Sequence, residues 1–305
     1  MENVLVSICM PAYNSSTFIG ETLDSIRRQT YQNWELIIAD DASTDGTKEI
    51  VEEFGRQVTQ KVSYVRNKKN LGVAATRNVA AGNSNGQWLA LMDSDDLWHP
   101  DHLHTLVSTS IACPDCDLIH SAANVFDSQT GKIIFRQFLA DETIKQFPVS
   151  LFDGSYNVQT CSAMISRKLY ESTGGSDDNF KYSDDLELWF RCARIGFKFA
   201  FTGKETCYYR KHPGGLTSYP LQMILDTARV YDMNADWEMI PKKIRFKHAS
   251  LAWLSVARMA RRKNMALAKD SLSRSMKYDF TLKHLAYWIF FRVPVFNNLK
   301  RTNIL

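Results

Sequence analysis

Three carboxylates within four positions, Asp93, Asp95 and Asp96, follow the apolar run 88–92, Trp-Leu-Ala-Leu-Met. Carboxylates this close repel one another unless a cation sits among them, and oxygen ligands favour Mg²⁺ or Mn²⁺. A lone Asp-x-Asp is equally a solvated turn, with Asp96 or Asp101 capping the next helix. Two other stretches tip the balance. Asp40-Asp41 closes a second apolar run, Trp34–Ala39, and can accept hydrogen bonds from a base N–H or from ribose hydroxyls. Tyr13, in Pro11-Ala-Tyr-Asn14 after the run Val4–Met10, can stack on a planar base. A ring, a pair of acceptors and a metal at neighbouring strand ends are what a nucleoside diphosphate requires. Neither GxxxxGK[ST] nor GxGxxG occurs, so the metal has to neutralise the phosphates.

The elements that position these residues follow from periodicity. Phe18, Ile19, Leu23 and Ile26 share one face of a helix ending near Gln29. A helix over 47–54, a strand over 62–65, a helix over 74–81 and a strand from Trp88 come next. Strand and helix alternate with short links, which requires right-handed parallel βαβ units. Such sheets bind ligands outside the carboxyl ends of their strands, so both acidic pairs open onto one edge. Further on, 100–112 reads as a helix. Residues 117–126 read as a strand that turns at Asp127–Gly131 into 132–138, an antiparallel edge or flap. Residues 140–157 show no period. A strand over 158–165 and a Gly174-Gly175 loop, where backbone could approach a ligand, precede a helix over 184–195. Short strands at 198–202 and 207–210 follow, and the pattern after Leu221 is helical.

Composition is that of an ordinary globule, 45% apolar and 23% charged, and 305 residues suit a main domain plus an appendage. The net charge of +4 hides a division: residues 242–305 carry 15 Lys/Arg against 2 Asp/Glu, leaving 22 against 31 before them. Among six scattered cysteines only Cys113-Pro-Asp-Cys116 has ligand-like spacing. No second Cys or His pair completes a zinc site, and reduced thiols in a cytosolic compartment are expected. The N-terminus reads as a strand start and not as a signal peptide.

Six segments in order, 6–14, 39–47, 70–78, 92–96, 183–189 and 210–212 (VSICMPAYN, ADDASTDGT, NLGVAATRN, MDSDD, SDDLELW, RKH), resemble the family 2 glycosyltransferases of the GT-A fold. The likeness covers about residues 4–220. It implies a mostly parallel α/β sheet flanked by helices over 1–220, with a helical, basic C-terminal extension over 221–305. By resemblance Tyr13 and Asp41 hold the uracil of a UDP-sugar, and Pro11 lines that pocket. Asp93 contacts the ribose, Asp95 ligates Mn²⁺ or Mg²⁺, Arg77 lies beside the nucleotide, and His212 reaches the diphosphate or the metal. The resemblance places the catalytic base in the pair Asp184-Asp185. Asp185 takes that role and Asp184 an acceptor contact, although a Glu is commoner at position 184. A helix N-terminus favours the ionised carboxylate, and both residues could equally cap the helix. The implied reaction is inverting transfer to a saccharide or lipid-linked acceptor in bacterial surface-polysaccharide assembly.

Two alternatives stay open. A sugar-1-phosphate nucleotidyltransferase needs an early Gly-rich loop with Arg and Lys, and residues 9–20 contain neither cation. A non-catalytic nucleotide-sugar binder has no need of intact Asp95 and Asp185. In the tail, Arg258, Arg261, Arg262 and Lys263 sit near Trp253, Leu254, Val256 and Met259. A seven-residue apolar run, 285–291, precedes Arg292 and Pro294, far short of the ~20 residues that span a bilayer. The tail is expected as a helical appendage whose basic, aromatic-rich face contacts an anionic inner membrane, the protein being cytoplasmic and peripheral. No RRM or KH signature occurs, so no nucleic-acid partner is expected.

Overall fold

The structure, a computed structural model, describes residues 4–292 and divides after Ser218 into two units. The first unit opens with the alternation its sequence requires: β1 (Val6–Ala12), α1 (Ile19–Arg27), β2 (Trp34–Asp40), α2 (Thr47–Gln57), β3 (Val62–Arg66), α3 (Val73–Gly82) and β4 (Trp88–Leu91). Strands β3, β2, β1 and β4 lie side by side in that order, all parallel. β1 and β2 are buried along their whole length, which is why they read as unbroken apolar runs. Helix α1 sinks Ile19, Leu23 and Ile26 into the core formed by Ile8, Met10, Leu36 and Ile38. Phe18, at the head of that stripe, stays outside the helix and meets the His212 ring at 4.6 Å.

The rest of the unit comprises β5 (Leu97–Trp98), α4 (His102–Ala112), β6 (Leu118–Asp127), β7 (Ile133–Gln137), α5 (Asp141–Lys145), α6 (Val149–Phe152), β8 (Ala163–Ser166), α7 (Arg167–Thr173), α8 (Asp184–Arg194) and β9 (Phe199–Lys211). The sheet continues from β4 through β8, β6 and β9 to β5. Its pairings there are antiparallel except β6 with β9. β7 forms the expected antiparallel hairpin with β6.

Four expectations need correction. The two short strands after α8 are one strand, β9, which stays paired to β6 across register shifts around Ala122. The strand expected from Val158 begins at Ala163, because Thr160–Ser162 winds into a 3-10 turn. Helix α7 is additional, capped by the Ser166 hydroxyl accepting from the Leu169 N–H at 3.2 Å and closed by left-handed Gly174. Gly175 packs closely on protein: a side chain there would collide with Asn78, whose amide holds Ser176 N and O at 2.9 and 2.8 Å. The cysteine expectation also changes. Cys113 and Cys116, brought together by a turn with Cα atoms 5.4 Å apart, form a disulfide. Cys9, Cys161, Cys192 and Cys207 are free and buried.

The described part of the second unit is helical: α9 (Pro220–Met233), α10 (Lys242–Ala260), α11 (Met265–Tyr278) and α12 (Leu282–Arg292). Leu254, Ala257 and Ala260 of α10 pack on Ala268 and Leu272 of α11. Asp232 accepts hydrogen bonds from the Trp253 indole at 3.2 Å and from the Tyr278 hydroxyl. Among the described residues no helix is long and apolar enough to cross a membrane. Pro294 and the remainder of the basic tail lie outside the described residues.

Two buried histidines make the first unit acid-sensitive. His102 pairs with Thr206 at 2.8 Å and His120 with Tyr156 at 2.7 Å. Burial pushes His102 down to about 3, with His99 adding to the effect, and His120 down to about 4. Both rings stay neutral in the folded chain, while the unfolded chain takes up protons below about pH 6.5. Stability is therefore full above that pH and falls by up to about 1.4 kcal/mol per pH unit for each ring on acidification. Thermal melts between pH 7 and 4.5 should show a flatter slope in the His102→Gln, His120→Gln variant. Parallel slopes would refute this.

Candidate active site

The carboxyl ends of β1, β2 and β4 bring three sequence stretches to one edge. Tyr13 stands exposed just past β1, while Pro11 is buried within β1 beside Ala39. Two non-glycine residues adopt left-handed backbone here, Asn14 at φ 49° and Ala42 at φ 64°. Such conformations concentrate at ligand sites, where surrounding structure holds them. Both Asp40 and Asp41 are buried. Asp40 accepts from Arg66 at 2.9 Å and from the Ser43 N–H. Asp41 accepts from the Asn67 amide and the Leu71 and Gly72 N–H groups, all within 2.9 Å. It thereby fastens the loop 67–72 beside Tyr13's edge of the sheet. A carboxylate has about four acceptor sites, and protein N–H groups take three of those of Asp41.

Arg77, expected beside the nucleotide, lies 3% exposed beneath the edge, donating to Asp93 at 3.0 Å and to Asp184. It is a buried bridge between the end of β4 and the start of α8, with one bond from each terminal nitrogen of its guanidinium to a protein carboxylate. Asp184, expected at the acceptor, is 5% exposed and ion-paired to Arg77. Burial raises its pKa to about 6; Arg77 opposes that rise, and Asp185 and Asp93 add to it. Asp93 keeps 26% of its side chain exposed. Burial raises it too, Arg77 counteracts, and the charges of Asp95 and Asp185 push it further up. Arg77 ties Asp93 to Asp184, and Asp185 follows Asp184 in the first turn of α8.

Asp95 and His212 meet directly, Oδ2 to Nε2 at 2.9 Å, both part-exposed. Arg210 organises this pair. Its guanidinium lies between the rings of Phe18 and Phe126, 4.7 and 5.0 Å from their centroids. From there it donates to the Asp95 carbonyl at 2.6 Å and to Glu21 at 2.6 Å. The Arg210 backbone N–H donates to Asp96 Oδ1 at 2.7 Å, and Asp96 is fully buried. A carboxylate oxygen and an imidazole nitrogen this close suit a divalent ion that accepts both donor types, Mn²⁺ more readily than Mg²⁺. Among the described residues no third His, Cys, Asp or Glu joins them, so the remaining positions would fall to water and to a ligand's phosphates.

Asp185 is half-buried in the first turn of α8. Its Oδ2 accepts from the Thr160 hydroxyl at 2.9 Å and its Oδ1 from the Leu186 N–H at 2.7 Å. One oxygen is thus oriented by a neighbouring turn while the side chain stays part-exposed. Arg210 and Thr160 were not singled out from the sequence. Arg210 stands in the same Arg-Lys-His triplet as His212, a usable signal; nothing local marks Thr160.

Residues 7–173 match the profile of glycosyl transferase family 2. The chain is 28% identical over 228 residues to UDP-Glc:alpha-D-GlcNAc-diphosphoundecaprenol beta-1,3-glucosyltransferase WfaP of Escherichia coli, spanning 74% of this chain and 85% of that protein. It is 38% identical over 196 residues to the putative glycosyltransferase EpsE of Bacillus subtilis, spanning 63% and 68%. A further relative, the uncharacterized glycosyltransferase RT0329 of Rickettsia typhi, is 28% identical over 193 residues; the chain spans 59% of its length. Among solved structures, S. aureus TarS in complex with UDP-GlcNAc superposes with a TM-score of 0.69 at 17% identity, over 90% of this chain and 81% of that one. A mannosyltransferase of Pyrobaculum calidifontis in complex with GDP-Man and Mn²⁺ gives 0.64 at 19% identity, over 93% and 78%.

Replacing Arg77 by Met leaves the buried Asp184 and the part-exposed Asp93 without their shared cation. The expected cost is about 3–5 kcal/mol of folding free energy, measured by urea unfolding. Adding Asp184→Asn to that variant should recover part of the loss. An Arg77→Met protein as stable as the parent would show that the bridge is not what holds β4 to α8.

Proposed function

Since the chain belongs to glycosyl transferase family 2 and is a glycosyltransferase of the GT-A fold, we propose that it moves the sugar of a UDP-sugar onto a hydroxyl of a lipid-linked saccharide in one inverting step. The observation that carries this reading is the sorting of the two carboxylates that open α8. Asp184 is buried against Arg77, whereas Asp185 is part-exposed and held by the Thr160 hydroxyl.

Each residue then has a defined task. Asp185 takes the proton of the acceptor hydroxyl as that oxygen attacks the anomeric carbon. Thr160 keeps the carboxylate turned toward the acceptor. A base placed in this way contributes about 10²–10⁴-fold to rate. Asp95 and His212 would hold a divalent ion, which when bound neutralises the diphosphate as it departs. Tyr13 offers its ring to the uracil and Asp41 its remaining acceptor site, while Asp93 receives a ribose hydroxyl on its exposed side. Pro11 fixes the backbone from which Tyr13 projects.

The donor class is supported by the UDP-GlcNAc bound to TarS and by the UDP-Glc in the name of the E. coli relative. The acceptor class is supported by the same relative, whose named acceptor is a diphosphoundecaprenol-linked sugar. The Mn²⁺ in the P. calidifontis enzyme supports the metal. Bacterial surface-polysaccharide assembly on the cytoplasmic face of the membrane is the setting that unites them. The second unit suits that setting: residues 242–305 carry 15 Lys/Arg against 2 Asp/Glu, and α12 exposes Leu285, Trp288 and Ile289. A basic face with apolar and aromatic tips lies in the interface of an anionic bilayer.

Asp185→Asn is expected to lower kcat by about 10²–10⁴-fold while the affinity for UDP with Mn²⁺, read by calorimetry, stays as in the parent. Asp95→Asn and His212→Ala should instead lose the metal-dependent part of UDP binding. NMR of the product should show an anomeric configuration opposite to that of the donor. Transfer at the parent rate by Asp185→Asn would remove Asp185 from the chemistry, and retained configuration would remove the single displacement.

A further inference from the structure

We propose that the β6–β7 hairpin is a lipid-contacting edge that seats the catalytic cleft on an anionic bilayer surface. The proposal deepens the lipid-linked acceptor reading and rests on it. Ile133, Ile134, Phe135 and, just beyond β7, Phe138 are each between 42% and 54% exposed. Side chains alternate faces along a strand, so consecutive exposed residues mean that neither face of β7 is covered. Scattered exposed apolar residues are ordinary, whereas a contiguous run of large ones marks a contact site.

The charges around the run select the occupant. Residues 128–138 include Lys132 and Arg136, both exposed, and no Asp or Glu. Exposed Lys211 at the end of β9 pairs in register with Asp127, at the foot of the hairpin. Exposed Asp141 and Glu142 follow Phe138 at the start of α5, outside the run, and the two acids beside the hairpin are engaged. Asp127 accepts the N–H groups of Gln129 and Thr130 within the turn, and Glu205 accepts from Asn124 at 3.1 Å and lies 3.7 Å from Arg136. Ile and Phe tips flanked by cations match the boundary between headgroups and acyl chains, with phosphates above and hydrocarbon below.

Position gives the contact a purpose. Ile133 pairs with Phe126, and the Phe126 ring lies 5.0 Å from the Arg210 guanidinium that donates to the Asp95 carbonyl. The apolar edge is therefore adjacent to the wall of the cleft. A bilayer held by β7 would deliver the head of a membrane-embedded acceptor toward Asp185, with no need for the acceptor to leave its leaflet.

The test uses the full chain. The free cysteines among the described residues are buried, so an Ile134→Cys variant can be labelled at that position with an environment-sensitive NBD probe. Its emission should rise on adding phosphatidylcholine–phosphatidylglycerol vesicles and rise far less with pure phosphatidylcholine. Two unlabelled variants, Ile134→Ser with Phe135→Ser and Lys132→Gln with Arg136→Gln, should each bind anionic vesicles about tenfold more weakly. Both should transfer sugar at the parent rate to a water-soluble acceptor and lose rate on a vesicle-embedded one. A silent probe, or vesicle affinity unchanged in both variants, would overturn the proposal. So would sedimentation showing that these variants abolish a dimer without altering vesicle binding, since the open edge of β7 would then be pairing with a second copy. A parent enzyme with no activity on any lipid-linked acceptor would instead refute the acceptor reading, whatever the probe reports.

Discussion

A single guanidinium, Arg77, joins the two halves of the catalytic edge. It is drawn from α3 and meets Asp93 at the end of β4 and Asp184 at the start of α8, 107 residues further along the chain. Taking two carboxylates and an arginine out of water is costly, and only their mutual attraction offsets it. Asn78, the next residue, secures the approach to α8 by holding Ser176 and by accepting from the Tyr170 hydroxyl at 2.5 Å. The Arg-Asn pair thus works as a staple between α3 and the segment leading into α8. Remove the staple, and the start of α8 loses its tie to α3 and to Asp93.

Burial divides the acidic residues by task. Asp40, Asp41, Asp96 and Asp184 are buried and hold structure: Arg66, the loop 67–72, the Arg210 backbone and Arg77 respectively. Asp93, Asp95 and Asp185 keep part of their surface exposed. Burial raises Asp93 and Asp184, and repulsion from the neighbouring carboxylates adds to the rise while Arg77 opposes it.

Much of this was legible in the residues themselves. The alternation of apolar runs and helical stripes predicts the parallel order of β1 to β4, and acidic pairs after β2 and β4 must then share an edge. The hairpin of β6 and β7 follows from the turn at Asp127–Gly131. What periodicity encodes is which face of an element is buried, not which distant side chain meets it. Nothing near Arg77 announces Asp184, so its burial as a bridge emerges only in three dimensions. The same holds for Arg210, held between Phe18 and Phe126, and for Thr160, placed against Asp185 by a 3-10 turn. β9 escaped as one strand because its middle, Gly203-Lys204-Glu205, reads as a turn while β6 keeps it paired. The Cys113–Cys116 disulfide depends on a local turn that spacing alone does not distinguish from a pair of reduced thiols.

The decisive measurement is a crystal of the full chain soaked with UDP and Mn²⁺, with anomalous data collected at the manganese edge. An anomalous peak bridging Asp95 and His212 Nε2, with the diphosphate on its open side and the uracil against Tyr13, is the predicted result. A peak elsewhere on the molecule, or UDP bound away from the edge that carries Asp95 and Asp185, would contradict a single catalytic cleft.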